Sequence, residues 1–594
     1  MALSLPLALG ALGLVTIASP SPAQAAGVGF TQTSLTIPVV VGPDNKTHCN
    51  ILAYLFMPAD ATAGHPDPAV LTTNGFGGSR DDQVSLAKLL AARGYVVLDY
   101  SGLGFGGSGC NIELDSPNWD GKAGAQLVGY LAGLDQVARN AQGRPTVGMV
   151  GGSYGGEIQF ATEAVCHCLS AIVPIITWND LAYSLGPNNN AANFVHTDTV
   201  PGVLKYQWDL FFSGLGLTEP LQNPNSTPFP PSTCPGFDPQ VCPDLATSTA
   251  LGYPSAPTVR FLRSASVATY MSQIKAPTLL IQGEADSLFN LNEGIANYKA
   301  LKAQHTPVHL VFQSWGHSNS TPAPGELSYT DPAHGYETQL IQDWFAHYLK
   351  HQNVSTGPAV EYFRPWISYD HAGSANPAYG TAAQYPAAPL RTMYLSGNGS
   401  LVATPGAVAP GALSFVNPPL GQTGSYSEIS AVGSSLPSAV QAVLQPFDLP
   451  GTFASFTTPP LRTALDVVGV PSVTFNLTSL VPALGPATDP VIYGKLYDVA
   501  PGGTKTLIKG LVSPIRVDRT SGPVTLSLPG IVYQFGAGHH IQLVLATTDL
   551  AYLGGRVPNL LTVTVDPSHP SPLQLPVVAP GRQLSGGAKP PLLG

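Results

Sequence analysis

The sequence predicts two domains, an α/β domain with a mostly parallel, doubly wound sheet and an all-β domain that follows it. From about residue 34 to residue 350, short apolar runs alternate with amphipathic helical patterns. After about residue 354 the helical patterns stop, and short alternating segments separated by turn residues follow. The 594 residues leave room for a sizeable core in more than one domain. Apolar strands that alternate with helices are typical of a parallel sheet covered on both faces.

The composition is apolar and weakly charged, which narrows the classes of partner. Hydrophobic residues make up 44 % of the chain and charged residues only 10 %, against about 25 % charged residues in ordinary soluble domains. The 63 glycines and 58 prolines favour a β-rich or loop-rich fold with many turns. Because the net charge is −10 and no basic block is present, the chain should repel a phosphate backbone, and we expect no nucleic-acid partner.

The first 25 residues have the pattern of an export signal. An apolar run from Leu3 to Ala18 precedes the small-x-small cleavage site Ala23-Gln24-Ala25, although no Lys or Arg precedes the run. The alternative is a membrane anchor, but the run is short for a span and contains one proline and two glycines. We expect a signal peptide over residues 1–25, secretion, and no membrane contact beyond the signal.

The cysteines are even in number, which in an exported chain suggests disulfides. They are Cys49, Cys110, Cys166, Cys168, Cys234 and Cys242. Cys234 and Cys242 flank a Pro/Gly loop and are the favoured pair, while the remaining pairings stay open. The Cys166-His167-Cys168 stretch lacks a second half-site, so we expect structural or disulfide use there and no metal.

The elements of the α/β domain follow from these patterns. The predicted strands are Ala69–Thr73, Tyr95–Tyr100, Thr146–Val150, Ala171–Ile176, Pro277–Gln282 and Val308–Gln313. The predicted helices are Gln83–Ala92, Gly121–Arg139, Gly155–Val165, Leu291–Lys302 and Thr338–Lys350. Residues 178–273 break this rhythm with many prolines and aromatics. Because long insertions in compact domains are usually functional, we expect a helical cap over the active site, the alternative being a decorative loop region.

Short strands separated by Gly, Pro, Asn and Ser turns dominate the last part of the chain. They are Ala359–Tyr362, Thr392–Leu395, Thr463–Val468, Val473–Leu477, Val491–Tyr497, Val524–Leu528 and Ile541–Ala546. This pattern predicts a β-sandwich or jelly roll. The expected domains are therefore a catalytic domain over residues 26–353 and a β-domain over residues 354–594.

The stretch Gly151–Gly155 carries the strongest functional signal. It reads GGSYG and contains a G-x-S-x-G motif between a predicted strand and a predicted helix. A sharp strand-to-helix turn forces the serine into a strained conformation, which only very small neighbours tolerate, and lifts its hydroxyl above the sheet. We therefore predict an α/β-hydrolase domain with Ser153 as the nucleophile.

A serine hydroxyl needs a base, and in this fold the acid and the base follow the nucleophile in that order after later strands. Asp286 lies just after the predicted strand that begins at residue 277, and His317 just after the strand that begins at residue 308. We predict His317 as general base and then acid, oriented by Asp286. Glu284 is the alternative acid, and His334 is the alternative base.

The oxyanion of such an enzyme needs two preorganised donors. One should be the Tyr154 backbone N–H, and the other an N–H of the glycine-rich loop over residues 74–78, with Phe76 as our choice. The alternative for this loop is a plain turn. Residues 102–107 also fit G-x-G-x-x-G, but no helical pattern follows them, so we expect no dinucleotide and no other cofactor.

The C-terminal half holds three further stretches that point to one family. They are 393–401 (MYLSGNGSL), 495–499 (KLYDV) and 538–549 (GHHIQLVLATTD). Together with GGSYGG around Ser153, GEAD ending at Asp286 and WGH ending at His317, they make the chain resemble the X-Pro dipeptidyl-peptidase (peptidase S15) and cocaine-esterase-like (CocE/NonD) serine hydrolases. The resemblance covers nearly the whole mature chain. It implies a C-terminal jelly roll and hydrolysis of acyl or X-Pro peptide bonds.

Two positions depart from the pattern of that group. Members often place a Tyr hydroxyl in the oxyanion hole, where this chain has Phe76. They often carry Asp-x-Arg-Gly after the next strand, whereas Ser101 takes the place of the Arg after Asp99. Both departures bear on substrate specificity rather than on hydrolase chemistry.

The expected substrate is a small-molecule ester or peptide. Trp178, Tyr183 and Trp208 are the residues we expect to line an apolar acyl pocket, the alternative being that they form the core of the cap. A dipeptidyl peptidase would also need a buried acid for the free amine of its substrate, and Glu157, Asp180 and Asp209 are candidates. The other functions considered are a carboxylesterase or lipase-like enzyme without peptidase activity, and a non-catalytic carbohydrate-binding protein. The oligomeric state stays open.

Overall fold

A computed structural model describes residues 28–191, 194–195, 200–222, 234–419, 424–427 and 446–578. The predicted signal peptide over residues 1–25 lies outside the described residues. The fold is an α/β hydrolase with a helical cap, followed by an antiparallel all-β domain, as the sequence predicts.

The catalytic domain is built on one ten-stranded sheet. Its strands are β1 (Phe30–Val41), β2 (Thr47–Pro58), β3 (Ala69–Thr73), β4 (Val96–Tyr100), β5 (Val147–Gly152), β6 (Ala171–Ile175), β7 (Thr278–Gly283), β8 (Val308–Gln313), β9 (Val360–Phe363) and β10 (Tyr379–Ala382). They lie in the order β1-β2-β4-β3-β5-β6-β7-β8-β9-β10, and the pairs from β4 to β9 are parallel. Strands β3 to β8 are apolar and almost wholly buried because helices cover both faces of the sheet.

The helices fall into two groups. In chain order they are α1 (Val84–Ala91), α2 (Lys122–Ala132), α3 (Tyr154–Cys166), α4 (Leu181–Leu185), α5 (Tyr206–Gln222), α6 (Val241–Leu251), α7 (Ala256–Ser264), α8 (Val267–Tyr270), α9 (Leu291–Ala303) and α10 (Tyr336–Tyr348). Helices α4 to α8 lie between β6 and β7 and form the cap, whereas the others pack on the sheet. Single 3-10 turns occur at Arg80–Gln83, Met271–Gln273, Asn376–Ala378, Pro405–Ala407 and Ile508–Gly510.

The end of the catalytic sheet differs from the predicted domain boundary. We expected residues from 354 onward to belong to the β-domain, but β9 pairs in parallel with β8, and β10 pairs with β9. Every residue of β9 is buried. A short buried strand has no alternation of its own to distinguish the two sheets, so only the observed pairing assigns it. The catalytic sheet therefore extends to Ala382.

The C-terminal domain consists of antiparallel strands in two main sheets. Its strands are β11 (Leu390–Leu395), β12 (Leu401–Val402), β13 (Gly411–Asn417), β14 (Ser425–Tyr426), β15 (Phe447–Asp448), β16 (Phe453–Thr457), β17 (Leu465–Gly469), β18 (Ser472–Ser479), β19 (Val491–Val499), β20 (Lys505–Leu507), β21 (Ser513–Arg516), β22 (Ser521–Ser527), β23 (Ile531–Phe535), β24 (His540–Ala546), β25 (Asn559–Val565) and β26 (Pro572–Val578). One sheet runs β12-β11-β26-β18-β25-β13, with β17, β22 and β23 attached, and the other runs β16-β24-β19-β20, with β21 attached. Apolar side chains from both sheets form one core. This arrangement agrees with the predicted sandwich of two sheets.

All six cysteines are paired. The disulfides are Cys49–Cys110, Cys166–Cys168 and Cys234–Cys242. The third is the pair favoured from the sequence, and the second accounts for the Cys-His-Cys stretch at the end of α3. The first joins β2 to the loop that follows β4.

Candidate active site

Ser153 lies on a sharp turn between β5 and α3. Its φ and ψ angles are 57° and −119°, a conformation that a residue with a side chain adopts only under strain. A Cβ atom on Gly151 would lie 2.6 Å from the Gly155 carbonyl oxygen, and one on Gly155 would lie 2.7 Å from the Thr73 oxygen. The two glycines are therefore required by the space around the turn. The arrangement is that of a nucleophile elbow.

His317 and Asp286 meet Ser153 at the carboxyl edge of the sheet. The Ser153 hydroxyl donates to His317 Nε2 over 2.8 Å, and His317 Nδ1–H donates to Asp286 Oδ2 over 2.6 Å. The other carboxylate oxygen of Asp286 accepts the N–H groups of Leu288 at 3.0 Å and Phe289 at 2.7 Å. Asp286 is fully buried, whereas 13 % of the His317 side chain is exposed. A buried, hydrogen-bonded carboxylate of this kind holds one tautomer of the imidazole and stabilises its protonated form.

The structure keeps both alternative groups away from the serine. Glu284 is buried 3.8 Å from the Lys509 ammonium, and burial raises the pKa of the Glu284 carboxyl well above its ordinary value. His334 is half exposed, and its Nδ1–H donates to Asp331 over 2.7 Å. Ser153, His317 and Asp286 are therefore the side chains that the fold brings together.

Two backbone N–H groups are available beside the serine. Among the described residues, neither the Tyr154 N–H nor the Phe76 N–H has a hydrogen-bond partner. The loop that carries Phe76 passes close to the nucleophile, since a Cβ atom on Gly75 would lie 3.8 Å from the Ser153 Cβ. The Tyr154 hydroxyl accepts the Asp115 N–H, so this side chain is held away from the serine. Both predicted oxyanion donors thus remain free for a substrate.

An apolar cavity of about 130 Å³ opens at Ser153 beneath the cap. Its walls are mostly aromatic and aliphatic and include Phe76, Leu181, Phe212, Phe237, Leu262 and Phe289. These side chains form a packed cluster between the cap helices and the sheet edge. A cavity with such walls favours the hydrocarbon part of a substrate.

The three aromatic residues expected in this pocket have three different positions. Trp178 lines the cavity, and its Nε1–H donates to the Ala265 carbonyl. Tyr183 does not line it, because its ring is buried in the cap and its hydroxyl donates to Asn189. Trp208 lies outside the lining and instead presents its ring to the His317 ring, with 6.1 Å between centroids. Of the three, only Trp178 lies in the cavity wall, and its contact with a substrate stays a prediction; Tyr183 and Trp208 lie outside the wall, contrary to expectation.

Of the three acids considered for binding an amine, only Asp209 faces the cavity. Glu157 accepts the Val267 N–H and the Tyr270 hydroxyl, and Asp180 pairs with Arg263. Asp209 lines the cavity, and its Oδ2 atom has no hydrogen-bond partner among the described residues. Burial raises the pKa of Asp209 well above its ordinary value, although the Lys205 charge opposes the shift.

Lys205 is a site residue for which the sequence offers no signal. It is buried one residue before α5, and its ammonium donates to the carbonyls of Ser287 and Leu288, which directly follow Asp286. A single lysine ahead of a helix belongs to no motif. Its place beside the acid of the site depends on how the cap folds back over the sheet.

Sequence comparison assigns the family. A profile of the X-Pro dipeptidyl-peptidase (S15 family) matches residues 48–202 and 250–319. A profile of the X-Pro dipeptidyl-peptidase C-terminal non-catalytic domain matches residues 296–591. The chain belongs to the X-Pro dipeptidyl-peptidase S15 family. It is therefore a serine hydrolase, and the alternative of a non-catalytic binding protein is set aside.

Solved structures resemble this S15-family chain over almost its whole length. An aminopeptidase from a marine sediment Thaumarchaeota archaeon has 15 % identity and a TM-score of 0.61, covering 93 % of this chain and 97 % of its own. An α-amino acid ester hydrolase has 16 % identity and a TM-score of 0.60, covering 94 % and 98 %. A CocE/NonD family hydrolase from Staphylococcus aureus has 13 % identity and a TM-score of 0.59, covering 92 % and 94 %. At identities this low, the likeness shows a shared fold and nothing further. No curated protein sequence matches the chain.

The departure at Ser101 in this S15-family chain lies two residues after a buried acid, Asp99. Ser101 is fully buried, and its hydroxyl accepts the Arg80 N–H. Neither carboxylate oxygen of Asp99 has a hydrogen-bond partner among the described residues, and burial raises the pKa of Asp99 to about 9. Burial therefore favours the neutral form of the Asp99 carboxyl.

Within the described parts of this S15-family chain, no group of three or more His, Cys, Asp and Glu side chains is arranged to hold a metal ion. None of the helices in the described ranges combines the length and the apolar character that a membrane span requires.

Proposed function

We propose that the protein is an exported carboxylic-ester hydrolase that acts on apolar acyl groups through an acyl-enzyme on Ser153. The observation that carries this proposal is the apolar cavity that opens directly at the Ser153 hydroxyl. Its aromatic and aliphatic walls favour a hydrocarbon chain, while the free backbone N–H groups favour a carbonyl oxygen beside the serine.

The geometry supports a two-step acyl transfer. His317 Nε2 takes the proton of the Ser153 hydroxyl while Oγ attacks the ester carbonyl, and the Tyr154 and Phe76 N–H groups stabilise the oxyanion. The tetrahedral intermediate collapses, and the protonated imidazole gives its proton to the departing alkoxide. A water molecule then gives a proton to His317 and attacks the acyl-enzyme, which releases the acid and restores Ser153. Asp286 keeps its charge throughout.

Hydrolysis of X-Pro dipeptides is the second candidate. It is supported by the family and by Asp209, a buried carboxyl that faces the cavity with one oxygen unpartnered. A charged Asp209 would suit the amine of such a substrate. However, burial raises the pKa of Asp209 well above its ordinary value, which favours a neutral carboxyl and a neutral acyl group. We therefore place ester hydrolysis first.

The nucleophile is tested by labelling. A fluorophosphonate probe should modify the protein at Ser153, and Ser153→Ala should abolish the labelling and lower kcat by about 10⁵–10⁶. The remaining rate would come from oxyanion stabilisation and binding alone. Mass spectrometry of the labelled peptide and ester turnover are the measurements. Labelling that persists in the variant would contradict the assignment of Ser153.

The substrate class is tested by a panel on the unaltered protein. p-Nitrophenyl esters of increasing acyl length are compared with Ala-Pro p-nitroanilide. We expect kcat/KM to be highest for an apolar ester, and Asp209→Asn to leave ester turnover within a few fold. Preference for the Ala-Pro amide, lost in Asp209→Asn, would establish the peptidase candidate instead.

Export is part of the proposal because of the disulfides as well as the first 25 residues. Three disulfides in one chain are typical of an oxidising compartment. The N-terminal sequence of the protein recovered from culture medium is the test. It should begin at Ala26, whereas retention in the cell with an intact N-terminus would contradict export.

A further inference from the structure

The cap contacts the loops of both Asp286 and His317 through one short segment, residues 204–209, which we name the docking turn. Lys205 Nζ donates to the Ser287 carbonyl at 2.8 Å and to the Leu288 carbonyl at 2.7 Å. Trp208 Nε1–H donates to the Ser287 hydroxyl at 3.1 Å, and its ring lies at 88° to the His317 ring. The docking turn therefore touches the acid loop and the base at once.

Lys205 is unusual because its ammonium is buried, with three carboxyl groups near enough to interact with it electrostatically. The residue is 3 % exposed, and burial lowers the pKa of Lys205 to about 8, opposed by the carboxylates of Glu293, Asp286 and Asp209. Burying a charge is costly, and an apolar side chain of similar volume would often serve stability as well or better. Packing of the cap alone therefore gives little reason for a lysine at this position.

The backbone of the docking turn is fixed from both sides. On the cap side, the Lys205 N–H donates to the Leu185 carbonyl at 2.8 Å. On the side of the C-terminal domain, the Leu553 N–H donates to the Leu204 carbonyl at 2.9 Å, and the Gln207 amide donates to the Leu550 carbonyl at 3.1 Å. The C-terminal domain therefore contributes to the placement of Lys205.

The two carbonyls that Lys205 holds belong to the turn that shapes the Asp286 site. The next N–H groups of this turn, those of Leu288 and Phe289, donate to Asp286 Oδ1. Fixing the carbonyls of the turn thus fixes the donors that orient the carboxylate. The positive charge of Lys205 also lies close enough to Asp286 for the two to interact electrostatically.

We propose that Lys205 is a positioning residue, which acts through the Asp286 loop to hold the carboxylate in place for His317 and thereby couples the cap and the C-terminal domain to the active site. The proposal rests on the roles proposed above for Ser153, His317 and Asp286. Lys205 touches no reacting atom, so its effect should fall on the chemical step and its pH dependence rather than on substrate binding.

Two substitutions separate the charge of Lys205 from its hydrogen bonds. Lys205→Met removes both, and we expect kcat for the best ester to fall about 10–100-fold, as a misplaced catalytic group would cause, while KM stays within about threefold. Lys205→Gln keeps an amide donor and should recover part of this loss. In both variants the acid limb of the kcat/KM profile should move to higher pH, because a positive charge near Asp286 opposes the binding of a proton in the active site.

The control is Gln207→Ala, which removes a contact of the same docking turn with the C-terminal domain but leaves the ammonium in place. Its acid limb should match that of the unaltered protein, because the positive charge near Asp286 is kept. Its kcat should fall less than that of Lys205→Met, because the Leu553 N–H still holds the Leu204 carbonyl. The melting temperature of each variant reports folding, and if Lys205→Met does not fold, Lys205→Gln carries the test through its profile. A folded Lys205 variant with an unchanged acid limb and kcat would overturn the proposal, and so would a loss of melting temperature alone. Failure of the unaltered protein to label at Ser153 would instead contradict the proposed function.

Discussion

At Phe76 the side chain and the backbone serve different parts of the site. The ring packs against Phe105, Tyr154, Phe212 and Phe237, with centroids 5.0–5.9 Å apart. The N–H of the same residue has no partner among the described residues, and the neighbouring Gly75 lies close to Ser153. A tyrosine hydroxyl at this position would enter a cluster of rings, so the phenylalanine suits a site whose donors come from the backbone.

Phe76→Leu tests this division of roles. If the donor is the N–H, the variant should keep kcat within about tenfold, because loss of a true oxyanion donor typically costs about 10²–10³ in kcat. The apolar exchange should cost less than about 1.5 kcal/mol of unfolding free energy. Ester kinetics and thermal melting are the measurements. A fall of 10²-fold or more in a folded variant would show that the ring itself stabilises the transition state.

The sequence predicts the position of a site residue well where that residue belongs to a motif at the end of a strand. Ser153, Asp286 and His317 each follow a recognisable strand, and the structure brings all three within hydrogen-bonding distance. Their catalytic roles stay predictions. Lys205 and Trp208 reach the site only through the path of the cap. No local pattern in the chain encodes such a path.

The cap contains aromatic residues in two different environments, the wall of the cavity and the interior of the cap itself. Trp178 begins it at the end of β6 and lines the cavity. Tyr183 lies five residues further on, within α4, and its hydroxyl donates to Asn189 inside the cap. Both residues follow the strand next to the nucleophile strand, and the sequence alone cannot separate these two environments.

Exchange of each ring for Phe should separate the two roles. Trp178→Phe enlarges the cavity, so the preferred acyl chain should become longer or bulkier. Tyr183→Phe leaves the cavity intact but removes a buried hydrogen bond, which should cost about 1–3 kcal/mol of unfolding free energy without changing the order of substrates. Acyl-length profiles and melting curves report both effects. An unchanged acyl order in Trp178→Phe would mean that specificity is set elsewhere in the cap.

The sheet elements were predictable where strands are buried on both faces. The six expected parallel strands lie within one or two residues of β3 to β8. The hairpin of β1 and β2 was not foreseen, because many of its residues are exposed and its outer strand carries several polar side chains. Helix α2 ends at Ala132 rather than at Arg139, since Gly133 lies at its C-terminal cap and turns follow.

Across the described residues, burial raises the pKa of several carboxyl groups, which favours their neutral form. Burial raises the pKa of Asp99 and Glu113 to about 9 and that of Asp120 to about 8. The folded chain therefore keeps protons that the unfolded chain releases above about pH 4. Whenever the folded state binds more protons, stability falls as pH rises, here from about pH 4 toward pH 9.

We expect the melting temperature to be highest near pH 5 and to decline toward pH 9. Each such group adds to the decline between its pKa in the unfolded chain and its pKa in the folded chain. Asp99→Asn should flatten this decline, because an amide at that position no longer releases a proton on unfolding. Asp135→Asn, at an exposed site, is the matched control and should leave the curve unchanged. Stability that rises between pH 5 and pH 9 would contradict this account.

The hydrogen bond between the Leu553 N–H and the Leu204 carbonyl can form only late in the synthesis of the chain. The ribosome makes the chain from its N-terminus, so the whole catalytic sheet and the three residues of the proposed triad are synthesised long before Leu553. Until residues 550–553 emerge, the segment that carries Lys205 and Trp208 lacks its support from behind. A nascent chain should therefore hold its reactive groups in an unfinished site, and hydrolysis should begin only when most of the second domain has left the ribosome.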